Sequence, residues 1–206
     1  MKNHFLLSLF FIASMVPFSA SAQNTPARTL HNFYVVAEAG VSQKSVKLST
    51  WTDPIYENSS GESFGGSFGY RAIFSSGFAL GLEINAASAA GTTHAFENTE
   101  NITIENKAIY GNYLTLGMRF ERVFLTALVG VGGTIYDSSR SINFSTIKRE
   151  NEQALGLSFG ATIEFGLSDD IGIRIKALYT GNERSESTNS LRLRDNSVMG
   201  GIIFHF

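Results

Sequence analysis

The chain has 206 residues, a formal net charge of −2 and no cysteine. Without cysteine there is no disulfide staple, no thiolate chemistry, no Cys-based metal site and no lipid-bearing cysteine. Charge this close to neutral leaves no electrostatic footprint for a nucleic-acid partner.

The first residues read as an address. Met1-Lys2-Asn3-His4 brings one Lys ahead of an apolar stretch over 5–16. That stretch falls short of the roughly 20 residues a membrane helix needs. Pro17 ends it, and Ala20-Ser21-Ala22 supplies a small-x-small cleavage site. The expected cut lies between Ala22 and Gln23, making 1–22 a signal peptide, 23–31 a short periplasmic segment and 32–206 a single domain.

Beyond this address no apolar run reaches membrane-helix length. Period-two alternation dominates instead, which is the signature of strands with one apolar face. The first predicted strand, 33–43, puts Phe33, Val35, Ala37, Ala39 and Val41 opposite Glu38, Gly40 and Ser42. The second, 64–74, sets Phe64, Phe68, Tyr70 and Ala72 against Gly65, Ser67, Gly69 and Arg71. The third, 78–88, sets Phe78, Leu80, Leu82 and Ile84 against Gly81, Glu83 and Asn85. In the fourth, 108–120, Tyr110, Leu114, Leu116, Met118 and Phe120 oppose Gly111, Tyr113, Thr115, Gly117 and Arg119.

The fifth, 123–136, has Val123, Leu125, Ala127, Val129 and Val131 on one side and Thr126, Gly130, Gly132 and Thr134 on the other. The sixth, 154–167, alternates Leu155, Leu157, Phe159, Ala161, Ile163 and Phe165 with Gly156, Ser158, Gly160, Thr162 and Glu164. The seventh, 171–180, alternates Ile171, Ile173, Ile175, Ala177 and Tyr179 with Gly172, Arg174 and Lys176. The eighth, 197–206, alternates Val198, Ile202, Phe204 and Phe206 with Gly201 and His205.

The connections alternate in length. Ser75-Ser76-Gly77, Glu121-Arg122 and Ser168-Asp169-Asp170 are short; 44–63, 89–107, 137–153 and 181–196 are long and polar. Short turns on one side and long loops on the other is the arrangement of a transmembrane barrel with periplasmic turns and extracellular loops. A short turn also fixes register, so the residues it brings opposite each other must agree in polarity. Phe74 with Phe78, Phe120 with Val123, and Leu167 with Ile171 all agree. The three prolines, Pro17, Pro26 and Pro54, are expected outside the strands. The expected fold is all-β: an eight-stranded antiparallel up-and-down transmembrane β-barrel.

A soluble barrel would show the same alternation turned inside out. The nearly uncharged apolar face favours the membrane, as does a polar face of Gly, Ser and Thr with isolated charges of both signs. Glu38, Arg71, Glu83, Arg119, Glu164, Arg174 and Lys176 form the expected interior charge network. Glu164 is expected opposite Arg174, and Arg71 diagonal to Glu83 across the 75–77 turn. Aromatic girdles are expected at Phe33, Phe74, Phe78, Phe120, Phe165, Phe204 and Phe206 on the periplasmic side. Phe64, Tyr110, Tyr136 and Tyr179 are expected on the outer side.

The opening Phe33-Tyr34-Val35-Val36-Ala37-Glu38-Ala39-Gly40 and the ending Gly200-Gly201-Ile202-Ile203-Phe204-His205-Phe206 resemble the first and last strands of small outer-membrane β-barrel proteins of the OmpA/OmpX type. The resemblance implies that Phe206 and Phe204 serve as the signal read by the barrel-assembly machinery. His205 stands where Arg or Lys is commoner in that family.

Function is expected on the extracellular loops, since binding residues gather on loops held by a rigid scaffold. Loop 44–63 carries Trp51, Ile55 and Tyr56; loop 89–107 is acidic at Glu97, Glu100 and Glu105. The later loops carry Arg140, Lys148, Arg149, Arg184, Arg192 and Arg194. The expected partners are outer-membrane lipid and lipopolysaccharide, the assembly machinery, and a host or extracellular ligand. The expected role is structural or surface interaction without catalysis or cofactor. An adhesin, a small pore and a lipid A-modifying enzyme are the alternatives. The enzyme would need a His beside a Ser and an acid at one rim, whereas His31 and His205 fall at the periplasmic end and His94 in a loop.

Overall fold

The computed structural model describes residues 30–49, 54–88, 91–97, 100–142, 145–186 and 189–206. The expected cleavage site at Ala22 and Gln23, Pro17, Pro26 and Trp51 lie outside the described residues.

The strands are β1 (Leu30–Ser49), β2 (Pro54–Ile73), β3 (Phe78–Ser88), β4 (Thr92–Glu97), β5 (Glu100–Phe120), β6 (Val123–Ile142), β7 (Ser145–Gly166), β8 (Ile171–Glu186) and β9 (Asn189–His205). All neighbours run antiparallel. The sheet order β3-β2-β1-β9-β8-β7-β6-β5-β4 closes through an added β3–β5 pairing. β3 and β4 both lie along β5, at 108–118 and 100–105 respectively, so they are two pieces of one stave. The closed ring therefore has eight staves.

Alternation controls which way each side chain points. β3 reads strictly exposed-buried throughout, with Phe78, Leu80, Leu82 and Ile84 outward. Large apolar side chains cover the exterior of every full stave, Leu157 at 73% exposure among them. Glu83, Arg174 and Lys176 lie inside. A water-soluble chain would reverse these faces, because apolar surface is favourable outside only when the solvent is hydrocarbon.

The short turns match expectation. Gly77 adopts φ +83 and donates its N–H to the Phe74 carbonyl at 2.9 Å. Glu121 opens the β5–β6 turn at φ +51, a left-handed conformation that L residues adopt at a cost.

The four long connections differ from expectation. Most of their length is strand: β1 and β2 stay paired up to Ser49 and Pro54, β5 and β6 up to Glu100 and Ile142, and β8 and β9 up to Glu186 and Asn189. Polar sequence on both faces obscures a strand in a period-two reading, yet the backbone ladder gains from continuing above the hydrocarbon. Pro54 is thereby corrected to the first residue of β2, where a missing N–H is tolerated.

Above the membrane the ring divides. β8 pairs with β7 only over 156–166, and β3 with β2 only over 65–73 of β2. The outer part consequently forms two four-stranded sheets, β2-β1-β9-β8 and β4-β5-β6-β7. Val46 and Leu193 of the first sheet pack against Ile104, Tyr136 and Ala154 of the second. This apolar cluster is a second core, outside the membrane. Tyr136, fully buried, belongs to it, which corrects its expected place in the outer girdle. It shares the parity of Thr134 and so points inward.

Asp137 holds the bend where the second sheet leaves the barrel. The β5–β6 register slips at 106/108, leaving Lys107 unpaired, and the β6–β7 register slips at 136/138. Asp137 takes an ion pair from Lys107 at 2.7 Å and the Asn151 N–H at 2.8 Å, with Asn151 at φ +54. Those hydrogen bonds hold the Asp137 carboxyl below its ordinary range, and the one to Asp137 raises Lys107.

Glu121→Gly should stabilise the folded barrel, because relief of roughly 1–2 kcal/mol of left-handed cost outweighs roughly 0.5–1 kcal/mol of added chain freedom. Glu121→Val should destabilise it. Urea midpoints followed by heat-modifiable gel mobility check both signs.

Candidate functional site

The lumen is filled in layers. In the periplasmic half, Tyr34, Val36 and Ile203 pack together. Tyr34 lies across Gly69, where an added Cβ would come within 2.1 Å of the ring, so only glycine leaves room for it. The Arg71 guanidinium sits between the rings of Tyr34 and Phe124, at 4.8 and 4.2 Å from their centroids.

The charges meet around this cluster. Arg71 bonds Glu164 at 2.8 Å, and Arg174 bonds Glu83 at 2.8 Å. Each pair joins staves that stand opposite in the ring, β2 with β7 and β8 with β3. Lys176 bonds Glu38, which also accepts from Ser67, and lies 3.8 Å from Glu83. The Tyr34 hydroxyl donates to Glu83 at 2.8 Å. One connected network thus spans the bore.

Glu38, Arg71, Glu83, Glu164, Arg174 and Lys176 are buried, but their pairing differs from expectation. Glu164 and Arg174 are register neighbours, and Arg71 is diagonal to Glu83. The partners are exchanged, however: each Arg reaches the carboxylate on the far wall. The bore of an eight-stranded barrel is narrow enough for one long side chain to cross. Arg119 is a second correction. It does not join the network but lies exposed at the periplasmic mouth, its Nε donating to the Glu121 carbonyl at 3.1 Å. It stands next to the turn, where the lumen is already open.

Above the charges, Tyr113, Leu128 and Leu178 form an apolar layer, and Ser158 bonds Thr180 at 2.8 Å. Asn182 of β8 donates to Thr134 of β6 at 2.9 Å, past the intervening β7. The interior apolar residues Val36, Phe124, Leu128, Leu178 and Ile203 escaped a reading that sought polar side chains inside. Strand parity alone would have found them.

Val41 and Val198 are the last outward aliphatic residues on β1 and β9, and Gln43 and Asn196 follow. Lys44 and Asp195, paired at 4.0 Å and both buried, lie just beyond this edge and outside the membrane span. Burial pushes Asp195 up to about 6 against the pull of Lys44. Burial pushes Lys44 down to about 8 against the pull of Asp195.

The histidines are dispersed. His31 bonds the Tyr70 hydroxyl, and exposed His94 bonds Thr103 at 3.1 Å. His205 Nδ1 lies 3.0 Å from Asn32 Oδ1 and 3.3 Å from Arg71 Nη2. Among the described residues no group of His, Asp and Glu could hold a metal ion.

The filled bore, apolar exterior and closed ring set the context for comparison with known proteins. The family described as outer membrane protein beta-barrel domain matches residues 9–206. The chain belongs to that family. No curated protein sequence matches it. Among solved structures, Ail, the attachment invasion locus protein of Yersinia pestis, is 15% identical, with 84% of this chain and 98% of that chain covered at a TM-score of 0.43. Neisserial surface protein A is 13% identical, with 84% and 97% covered at 0.46. The outer membrane protease OmpT from Escherichia coli is 7% identical, with 90% and 99% covered at 0.52. At these identities the likeness concerns the fold. Family and architecture make this chain an outer-membrane β-barrel.

Glu83→Gln should destabilise the barrel by about 3–5 kcal/mol, because it strands Arg174 inside. The double variant Glu83→Gln, Arg174→Met should recover most of that loss, and a double-mutant cycle in urea measures the recovery. The Lys44–Asp195 pair should give a stability minimum between about pH 6 and 8. Asp195 binds its proton more tightly when folded, so stability falls as pH rises from about 4 to 6. Lys44 releases its proton more easily when folded, so stability rises from about pH 8 to 10. Unfolding midpoints across pH check this, and Asp195→Asn with Lys44→Met should flatten the profile.

Proposed function

We propose that this barrel is a structural and surface-interaction protein that works through its extracellular half, without catalysis. The observation that carries the reading is the contrast between the two ends of the molecule. The bore is crossed by ion pairs and capped by apolar layers, whereas the outer half rises as two sheets with their own core. A filled eight-stranded bore argues against solute passage.

The outer half also offers a binding edge. Among the described residues, β7 from Ser145 to Leu155 pairs with β6 on one side and with no strand on the other. Thr146, Ile147, Lys148, Arg149 and Glu150 are all exposed there, Ile147 at 56%. An open strand edge presents unpaired N–H and C=O groups that an extended segment of another protein can complete. The opposite seam is stitched instead: Ser59 bonds Thr93 at 2.9 Å, and Ser63 donates to the Ser88 carbonyl at 2.7 Å. Adhesion to a host or matrix protein through β7 is the specific role this supports.

Lipopolysaccharide is the second partner in this reading. Arg192 and Arg194 face outward on β9, above Val198 at the edge of the apolar belt. Guanidinium groups at that height suit phosphate groups of the outer leaflet. The reading includes export through residues 1–22 with cleavage between Ala22 and Gln23, the barrel beginning near residue 32. It also includes recognition of Phe204 and Phe206 by the barrel-assembly machinery.

Ile147→Pro should block edge pairing. Cells displaying this variant should lose adhesion to host-cell and matrix surfaces, with outer-membrane fractionation and heat-modifiable mobility unchanged. Adhesion equal to that of the parent would overturn the adhesive role. Conductance steps in planar bilayers would overturn the filled-bore reading.

A further inference from the structure

The periplasmic mouth contains a cavity of about 280 Å3, and its charged wall is unusual. Arg71, Arg119, Arg122, Glu121, Glu164 and Asp169 all line it, with His205 between them. Arg71 and Glu164 neutralise each other at 2.8 Å. The remaining two arginines and two carboxylates form no ion pair with any described residue. Like and unlike charges that share a cavity without pairing leave room for a ligand carrying both signs.

The cationic side is preorganised. Arg119 is anchored by a neutral acceptor, the Glu121 carbonyl, so its charge stays uncompensated while its position is set. Arg71 is clamped between two aromatic rings, and its buried Nε has no acceptor. The three arginines come from β2, β5 and the β5–β6 turn, that is, from several directions. Such convergence suits a tetrahedral oxyanion better than a planar one, and guanidinium is the side chain best matched to it. The two free carboxylates, Glu121 and Asp169, would repel a bare dianion and attract an ammonium group.

We propose that the periplasmic mouth binds a zwitterionic phosphate–amine group, with Arg119 and Arg122 on the phosphate and Asp169 and Glu121 on the amine. That chemistry occurs as a free phosphoethanolamine-type solute and as the headgroup of an inner-leaflet phospholipid. The site is independent of the outer-surface role, since it lies at the other end of a filled bore.

The test is an NMR titration of the refolded full-length protein in detergent, following the arginine side-chain N–H signals, with O-phosphoethanolamine as probe and inorganic phosphate beside it. Saturable binding of phosphoethanolamine, at least fivefold tighter than phosphate, is expected. Arg119→Gln should weaken it tenfold or more, and Asp169→Asn should erase the preference over phosphate. Glu62→Gln, on the outer surface, should change neither. In nanodiscs containing phosphatidylethanolamine, loss of phosphoethanolamine binding relative to phosphatidylcholine discs assigns the headgroup; equal binding in both assigns the free solute. No saturable binding, equal affinity for both probes, or an unchanged titration in a folded Arg119→Gln protein would overturn the proposal.

Discussion

Hydrocarbon offers no hydrogen bonds to a polypeptide backbone, and this single constraint governs the rest of the structure. Every N–H and C=O between the membrane edges must be paired within the protein, so the sheet has to close. Closure with eight staves makes a bore just wide enough for side chains. What fills that bore is then a packing problem with polar solutions. Arg71 with Glu164 and Arg174 with Glu83 reach across it because the opposite wall lies within the length of one arginine.

Where the hydrocarbon ends, the constraint relaxes and the architecture changes. The ladder between β7 and β8 stops at Gly156 and Asn182, and the ring opens into two sheets. The outer part needs a different source of cohesion, and Val46, Ile104, Tyr136, Ala154 and Leu193 supply it by ordinary apolar burial. One chain thus uses two opposite packing rules, apolar outside in the membrane and apolar inside above it. Lys44 and Asp195 occupy the junction, buried beyond the belt and weakly coupled at 4.0 Å. The two ends also differ in their binding chemistry: backbone groups along β7 outside, and unpaired side-chain charges at the periplasmic mouth.

Much of this was legible in the chain itself. Strand number, faces and short turns follow from period-two alternation, and the 78–88 strand matches β3 residue for residue. The reading failed wherever both faces became polar. The outer halves of β1, β2, β5, β6, β7, β8 and β9 read as loops because nothing there alternates, although the ladder runs on. Tyr136 misled for a related reason: an aromatic near the rim invites a girdle role, whereas its parity directs it inward.

By itself, then, the sequence determined that this chain forms a membrane barrel and which face of each strand is turned to the lipid. Those properties depend on local periodicity against a two-sided solvent, and periodicity is written residue by residue. Only the tertiary structure decided which Arg meets which Glu, that Arg119 stands apart at the mouth, and that the outer strands form a second core. Those outcomes depend on closure, which brings together side chains from opposite staves that no spacing along the chain relates.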